Sequence, residues 1–142
     1  MAPRVTTNDA GTDGPPRELR EAVDQFNRGQ YFECHETLEQ LWTQEIGPIR
    51  SFHQGIIQVA TGFHHLRRGN LRGARICLDG GLERLRAAPP ELQQVDVARL
   101  VTDAEQMRAL VVEPGAAGSR WWEQIAPPLI HWVPESTRSV AP

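Results

Sequence analysis

Phe26-Asn27-Arg28-Gly29-Gln30-Tyr31-Phe32-Glu33-Cys34-His35-Glu36-Thr37-Leu38-Glu39-Gln40-Leu41-Trp42 runs through the end of one helix, a turn and most of a second helix. Arg28-Gly29-Gln30 makes the turn. Upstream, Leu19, Val23 and Phe26 recur at helical spacing and predict a first helix from Arg17 to near Asn27. Downstream, the second helix runs from about Tyr31 to Glu45 and stops at Gly47-Pro48, a strong breaker pair.

The same period continues outward. A third helix begins at Pro48, a residue suited to a first turn, and reaches about Arg68. Gly69-Asn70 turns the chain. A fourth helix covers about Leu71 to Ala87 and is closed by Pro89-Pro90. A fifth covers about Val95 to Val112, with Val97, Leu100, Val101, Ala104, Met107 and Val111 on one side. No window alternates in a sustained way, so no sheet is expected. Glu113 to Gly118 reads as a loop. Trp121 to Pro142 holds Trp121, Trp122 and Trp132 among Pro127, Pro128, Pro134 and Pro142, a composition that predicts an extended tail laid over the bundle. Met1 to Pro16, with Asp9, Asp13, prolines and glycines, reads as a disordered leader without the apolar core of a signal peptide. The expected architecture is all-α: a leader (1–16), a compact bundle of about five helices (17–113) and a Pro/Trp-rich tail (114–142).

A faint repeat supports helical hairpins. Gly29-Gln30-Tyr31-Phe32-Glu33-Cys34 aligns with Gly69-Asn70-Leu71-Arg72-Gly73-Ala74, with Leu38 matching Leu78 and Glu39 matching Asp79. Two copies amount to a tetratricopeptide-like pair and not to an array. Any helical hairpin needs a turn glycine and a small contact residue, so the repeat speaks to fold and not to function.

Composition removes whole classes of chemistry. The chain has 142 residues and a net charge of −3, and all 15 of its basic residues are arginine. Without lysine there is no Schiff base, no P-loop lysine and no Ser-Lys pair. Arginine stays charged and cannot replace lysine as a nucleophile. A pI near 5.9 gives no global attraction to nucleic acid or anionic lipid, and no apolar run approaches a membrane span. Cys34 and Cys77 are too few for a disulfide framework and read as reduced thiols of a cytoplasmic protein.

The second helix carries the unusual residues. On a wheel, Tyr31, Phe32, Cys34, Leu38, Leu41 and Trp42 form a broad apolar arc, and Glu33, Thr37, Gln40 and Gln44 lie opposite as a solvated face. His35 falls inside the arc, Glu39 lies between His35 and Phe32, and Glu36 sits at the edge. A carboxylate on an apolar face needs a partner, a proton or a metal. His35, one turn earlier, is the nearest partner for Glu39. The pair could reach one cation, with Glu36 as a third oxygen ligand, as in half of a helical carboxylate metal site. Two other readings stand beside this one: a buried polar network, or neutralisation of Glu39 by an arginine. The spacing is not that of the zinc-protease motif, which has a second histidine where Glu39 stands. Cys34 and His35 point about 100° apart on a helix, so they do not form a thiolate–imidazole pair.

In the third helix Phe52, Ile56, Val59, Ala60, Phe63 and Leu66 make the apolar side. Gln54, Gln58, Thr61 and His65 form a neutral polar stripe flanked by Gly55 and Gly62. Glycine inside a helix costs about 1 kcal/mol relative to alanine, so this repetition predicts the close approach of another backbone. Gln58 and His65 are expected to look toward His35 and Glu39, while His53 and His64 lie on another flank beside Ile57. Charge is consistent with pairing these helices. Residues 30–45 hold Glu33, Glu36, Glu39 and Glu45 and no arginine, whereas residues 48–88 hold seven arginines against Asp79 and Glu83. The Arg67, Arg68, Arg72 and Arg75 cluster lacks the interleaved aromatics of a nucleic-acid platform, and nucleic acid is not the expected partner.

The quoted stretch resembles the signature of the prokaryotic "domain of unknown function 309" family, with His35, Glu39 and Trp42 as its H-x-x-x-E-x-x-W motif. Gly55-Ile56-Ile57-Gln58-Val59-Ala60, His65 and Arg68-Gly69-Asn70-Leu71-Arg72-Gly73-Ala74 resemble it too, and the resemblance spans about residues 18 to 87. It implies a compact helical bundle and a motif suggested to bind metal, but no particular reaction. Two functions follow as expectations. One is a divalent-metal site (zinc, manganese or iron) with ligands His35, Glu39 and His65. In its hydrolytic form Glu36 or Glu39 would act as base toward a metal-bound water, beside Gln58 and Trp42. The alternative is a non-catalytic module that binds a protein, a second copy or a small molecule through its hairpin groove and aromatic tail, with the His/Glu cluster as a structural network.

Overall fold

The computed structural model describes residues 14–112 and 120–134. Among the described residues five helices follow in order: α1 (Arg17–Asn27), α2 (Tyr31–Trp42), α3 (Gly47–Arg67), α4 (Leu71–Arg86) and α5 (Val97–Leu110). A 3-10 turn, Trp121–Gln124, begins the described part of the tail. The leader expected over residues 1–16 lies, up to residue 13, outside the described residues, as does the loop at 113–118.

The repeated sequence is a repeated turn. After α1, Gly29 has φ +79°, and after α3, Gly69 has φ +81°. At the first turn the Gly29 N–H donates to Phe26 O and the Gln30 N–H to Gln25 O; at the second, Gly69 donates to Leu66 O and Asn70 to His65 O. Both turns are Schellman caps, which use a left-handed residue to satisfy the last helical carbonyls. The small residues five positions on, Cys34 and Ala74, are fully buried.

Two helix boundaries and one hairpin differ from expectation. Helix α2 ends at Trp42 and not at Glu45. There the Thr43 hydroxyl and the Gln44 amide both donate to Gln40 O, and the Gln44 and Glu45 N–H groups bond three residues back, so the last turn tightens before Gly47. Helix α5 starts at Val97 and not at Val95. Val95 instead belongs to a small hairpin, which corrects the expectation of no sheet: β1 (Glu91–Leu92) pairs antiparallel with β2 (Val95–Asp96). The turn is Gln93-Gln94, at φ 50° and 70°. The tail then adds to this hairpin through the Val95–Trp132 bridge, with Asp96 N–H donating to His131 O and Val133 N–H to Gln94 O.

The core lies among α1 to α5, with Phe26, Leu38, Phe52, Leu78, Leu82 and Leu100 fully buried. The predicted backbone approach occurs between α3 and α4. A β-carbon on Gly62 would lie 2.8 Å from Leu78 Cγ and 3.2 Å from its backbone nitrogen, and one on Gly81 would lie 2.8 Å from Gly55 O. Helix α5 is tied to α4 by forked bonds from Arg108 to Asp79 (2.6 and 3.1 Å) and by Arg86 to Glu105 (2.8 Å). Among the described residues no helix is long and apolar enough to cross a membrane.

Candidate functional site

Two parallel stripes run along α2. Tyr31, Cys34, Leu38 and Leu41 are buried. Phe32, His35, Glu39 and Trp42 have the same spacing, one residue further round, and so lie about 100° away at the edge of the core. The motif residues therefore form a boundary stripe. Its ends are closed: the Phe32 ring stands 6.1 Å from His64, and the Arg50 guanidinium lies 4.3 Å above the Trp42 ring. Between them His35 Nε2 approaches Glu39 Oε2 at 3.6 Å, with side chains 35% and 45% exposed. His35 and Glu39 thus come together as read, but the premise that Glu39 is a carboxylate in an apolar setting is corrected. The core stripe is narrower than the apolar arc of the wheel, and Phe32 itself is 51% exposed. Glu36 is exposed. Thr37, expected on the solvated face, is half-buried and its hydroxyl donates to Gln25 Oε1 of α1 at 2.8 Å.

Gln58 and His65 do not turn toward this pair. Gln58 Oε1 accepts from Arg84 Nε of α4 at 3.1 Å, and a β-carbon on Gly80 would meet Gln58 Nε2 at 2.7 Å. His65 Nδ1 stands 3.3 Å from Asn70 Nδ2, and a β-carbon on Gly73 would lie 3.1 Å from its ring. The reason is the glycine column: Gly55 and Gly62 admit α4, not α2, to that side of α3. The two remaining histidines of α3 also separate. His53 is fully buried, with Nε2 2.9 Å from Gln93 Oε1 of the hairpin. His64 is half-buried beside Phe32, and burial first, then the neighbouring Arg68, lowers its pKa. The donors within reach of one another are thus His35 and Glu39, two on a single helix. Among the described residues no three of His, Cys, Asp and Glu gather to hold a metal ion. The set does not fit a closed three-ligand centre, and no hydrolytic step is derived from it. Cys34 is inert in this fold: burial pushes its thiol up to about 12.

A second feature was not singled out by sequence reasoning. Where α2 begins and α3 ends, a cavity of about 300 Å³ lies under the tail, lined chiefly by Tyr31, Phe63, Arg67, Met107 and Trp122. The Arg67 guanidinium sits 4.9 Å from the Tyr31 ring centre and donates to Gly29 O at 2.6 Å. Arg120 fastens the tail here, donating to Arg67 O at 3.1 Å and to Glu123 at 2.6 Å, with its guanidinium 5.1 Å from the Trp122 ring. The Tyr31 hydroxyl and the Trp122 indole N–H are buried and have no hydrogen-bond partner among the described residues. Burial raises the Tyr31 pKa, and Arg67 partly offsets the rise. The available signal was Trp122 in a tail expected to cover the bundle and Tyr31 opening the second helix; their meeting depends on tertiary placement.

Comparison with known proteins agrees with the resemblance read from the motif-bearing stretch. Residues 19–77 match the family described as Domain of unknown function (DUF309). The protein named "Uncharacterized protein YpuF" from Bacillus subtilis (strain 168) is 38% identical over 58 residues, which is 40% of this chain and 33% of that protein. The chain therefore matches about a third of the length of this curated relative. The family match takes in α1 to α3 and the start of α4, and leaves α5 and the tail outside.

Proposed function

We propose that this chain, whose residues 19–77 form a DUF309 domain, is a non-catalytic binding module for a small apolar molecule bearing a carboxylate. The observation that carries the reading is a pair of buried donors with no partner among the described residues, Tyr31 Oη–H and Trp122 Nε1–H, on residues that line one cavity. A buried donor left unpaired costs about 1–3 kcal/mol, so an acceptor oxygen that a ligand brings to either donor would relieve that cost. The walls are largely apolar; Arg67 supplies a positive charge for an anionic oxygen, and Glu123, the carboxylate of the lining, is paired with Arg120 at 2.6 Å. The cavity volume lies at the small end of the range for ligand sites. A reducing, cytoplasmic setting belongs to this reading and is supported by two free thiols, Cys34 and Cys77.

Octanoate is a suitable probe, with octanol as its uncharged counterpart. Trp122 lies at the cavity, so binding should change tryptophan fluorescence saturably with octanoate and more weakly with octanol. Trp122→Phe should remove most of the signal. No saturable change for either probe at millimolar concentration would overturn the reading.

A second reading assigns His35 and Glu39 to a divalent cation. It is supported by their 3.6 Å approach and their access to solvent. Two donors on one helix leave the remaining positions to water or to a second copy of the chain. Zinc, manganese or iron that stays with the protein through dialysis and is lost in Glu39→Gln would favour it.

A further inference from the structure

A separate cavity of about 370 Å³ lies at the opposite end of the α2–α3 pair, lined by Trp42, Gly47, Arg50, Ser51, Gln54 and Arg84. It shares no residue with the cavity under the tail. Two of its six lining residues are cations and none is a carboxylate. Arg84 is held by neutral acceptors, with Nε donating to Gln58 Oε1 at 3.1 Å and Nη1 to Ser51 Oγ at 3.3 Å. Those bonds use two of the five N–H groups of a guanidinium, and neither acceptor is a carboxylate. Arg50 is likewise set against a neutral partner, lying 4.3 Å above the Trp42 ring. Elsewhere in this fold arginines meet carboxylates directly, as Arg108 meets Asp79 and Arg86 meets Glu105. Two guanidiniums positioned by neutral groups around one recess form a receptor for an oxyanion, because the planar fork matches paired oxygens and charge-assisted bonds are the stronger kind.

We propose that this recess binds the phosphoryl group of a small molecule, with Arg50 and Arg84 as the charged donors and Ser51 and Gln54 as neutral ones. A recess of this volume holds a phosphoryl group and a compact body. It offers no aromatic row along which a nucleic-acid strand could stack. The Arg50–Trp42 stack also gives the tryptophan of the motif-bearing stretch a role: it orients a binding cation.

Calorimetric titration of the full chain with inorganic phosphate, at fixed ionic strength set with chloride, tests the proposal. Acetate and a short single-stranded RNA serve as separate arms. Phosphate should bind saturably and more tightly than acetate, and Arg50→Gln and Arg84→Gln should each weaken it about tenfold, the effect of losing one charge-assisted contact. Arg84→Gln also removes the bonds to Gln58 and Ser51, so the exposed Arg50→Gln carries the test if the Arg84 variant fails to fold. The proposal is overturned if phosphate produces no heat beyond the chloride control, or if affinity is unchanged in the folded variants. It is also overturned if acetate binds as tightly as phosphate, or if RNA binds and phosphate does not compete with it.

Discussion

Asn27, the last residue of α1, and Ile130, in the tail, exchange two hydrogen bonds: Asn27 Nδ2 donates to Ile130 O at 3.0 Å, and Ile130 N–H donates to Asn27 Oδ1 at 2.7 Å. The side-chain amide thus reads the tail backbone as a neighbouring strand would, and the Ile130 side chain is buried beside it. Asn27→Ala leaves a donor and an acceptor of the tail unpaired. The expected cost is about 1–3 kcal/mol, seen as a lower midpoint in urea. The tail should also become cleavable by protease under native conditions while α1 to α4 stay protected. A variant with wild-type tail protection would show that Arg120 and the Val95–Trp132 bridge hold the tail without Asn27.

Gly62→Ala tests the α3–α4 contact. Alanine would improve intrinsic helix propensity by about 1 kcal/mol. Its β-carbon, however, would stand 2.8 Å from Leu78 Cγ and 3.2 Å from the Leu78 backbone nitrogen. A side-chain tip can move, but the backbone of a packed helix moves only with its neighbours, and overpacking of this kind costs about 1–3 kcal/mol. Net destabilisation is expected. Gly47→Ala is the contrasting case: it has no atom within 4 Å of the added carbon, yet its φ of +71° strains any side chain. Equal or higher stability in Gly62→Ala would mean that α4 shifts at no cost.

The helices and their turns were legible because a 3.6-residue period and two turn glycines act locally. The core residues of α3 followed directly: Phe52, Ile56, Val59, Ala60, Phe63 and Leu66 are all buried. The hairpin was not legible, since two residues per strand are too few to alternate, and Gln93-Gln94 takes positive φ without the glycine or asparagine that usually marks it. The glycine column announced a close neighbour but not which helix it would be. A wheel gives a direction around one axis and no identity for what lies there, so Gln58 and His65 were assigned to α2 and are found against α4. The apolar setting expected for Glu39 is not found, because a wheel cannot say where the core boundary falls within an apolar arc.

His35→Ala separates the two functional readings. The His35–Glu39 contact is an i,i+4 pair with both side chains over a third exposed, and such pairs contribute less than about 0.5 kcal/mol. Stability should therefore hardly change, and octanoate binding, read at the cavity where α2 begins, should not change. Loss of octanoate binding in a stably folded His35→Ala would tie the motif stripe to the cavity and refute their independence.

The Arg108–Asp79 fork predicts a defined acid response. The hydrogen bonds from Arg108 hold the Asp79 carboxyl below its ordinary value of 3.8, with burial opposing and the nearby charges adding to the effect. A carboxyl lowered on folding contributes stability above its unfolded pKa and loses it as pH falls through the folded value. Asp79→Asn should thus be less stable than wild type at neutral pH, with the difference closing below about pH 4. Asp79 is 57% exposed, so the gap should also shrink in high salt. A difference constant from pH 7 to pH 2.5 would mean that shape, not charge, ties α4 to α5 here.

Tyr31→Phe should move stability and binding in opposite directions. The ring packs edge-on against Phe26 at 5.3 Å and tilted against Phe63 at 5.6 Å, and phenylalanine keeps both contacts. What it removes is a buried hydroxyl with no partner among the described residues. The ligand-free protein should gain stability, by up to about 1 kcal/mol, because an unmet donor is deleted and no bond is broken. Octanoate affinity should fall about tenfold if that hydroxyl donates to the carboxylate. Thermal melts with and without octanoate read both effects: a higher midpoint alone and a smaller upward shift with ligand. A variant less stable than wild type would show that the hydroxyl already has a partner in the folded protein, and the cavity would lose the observation on which its binding role rests.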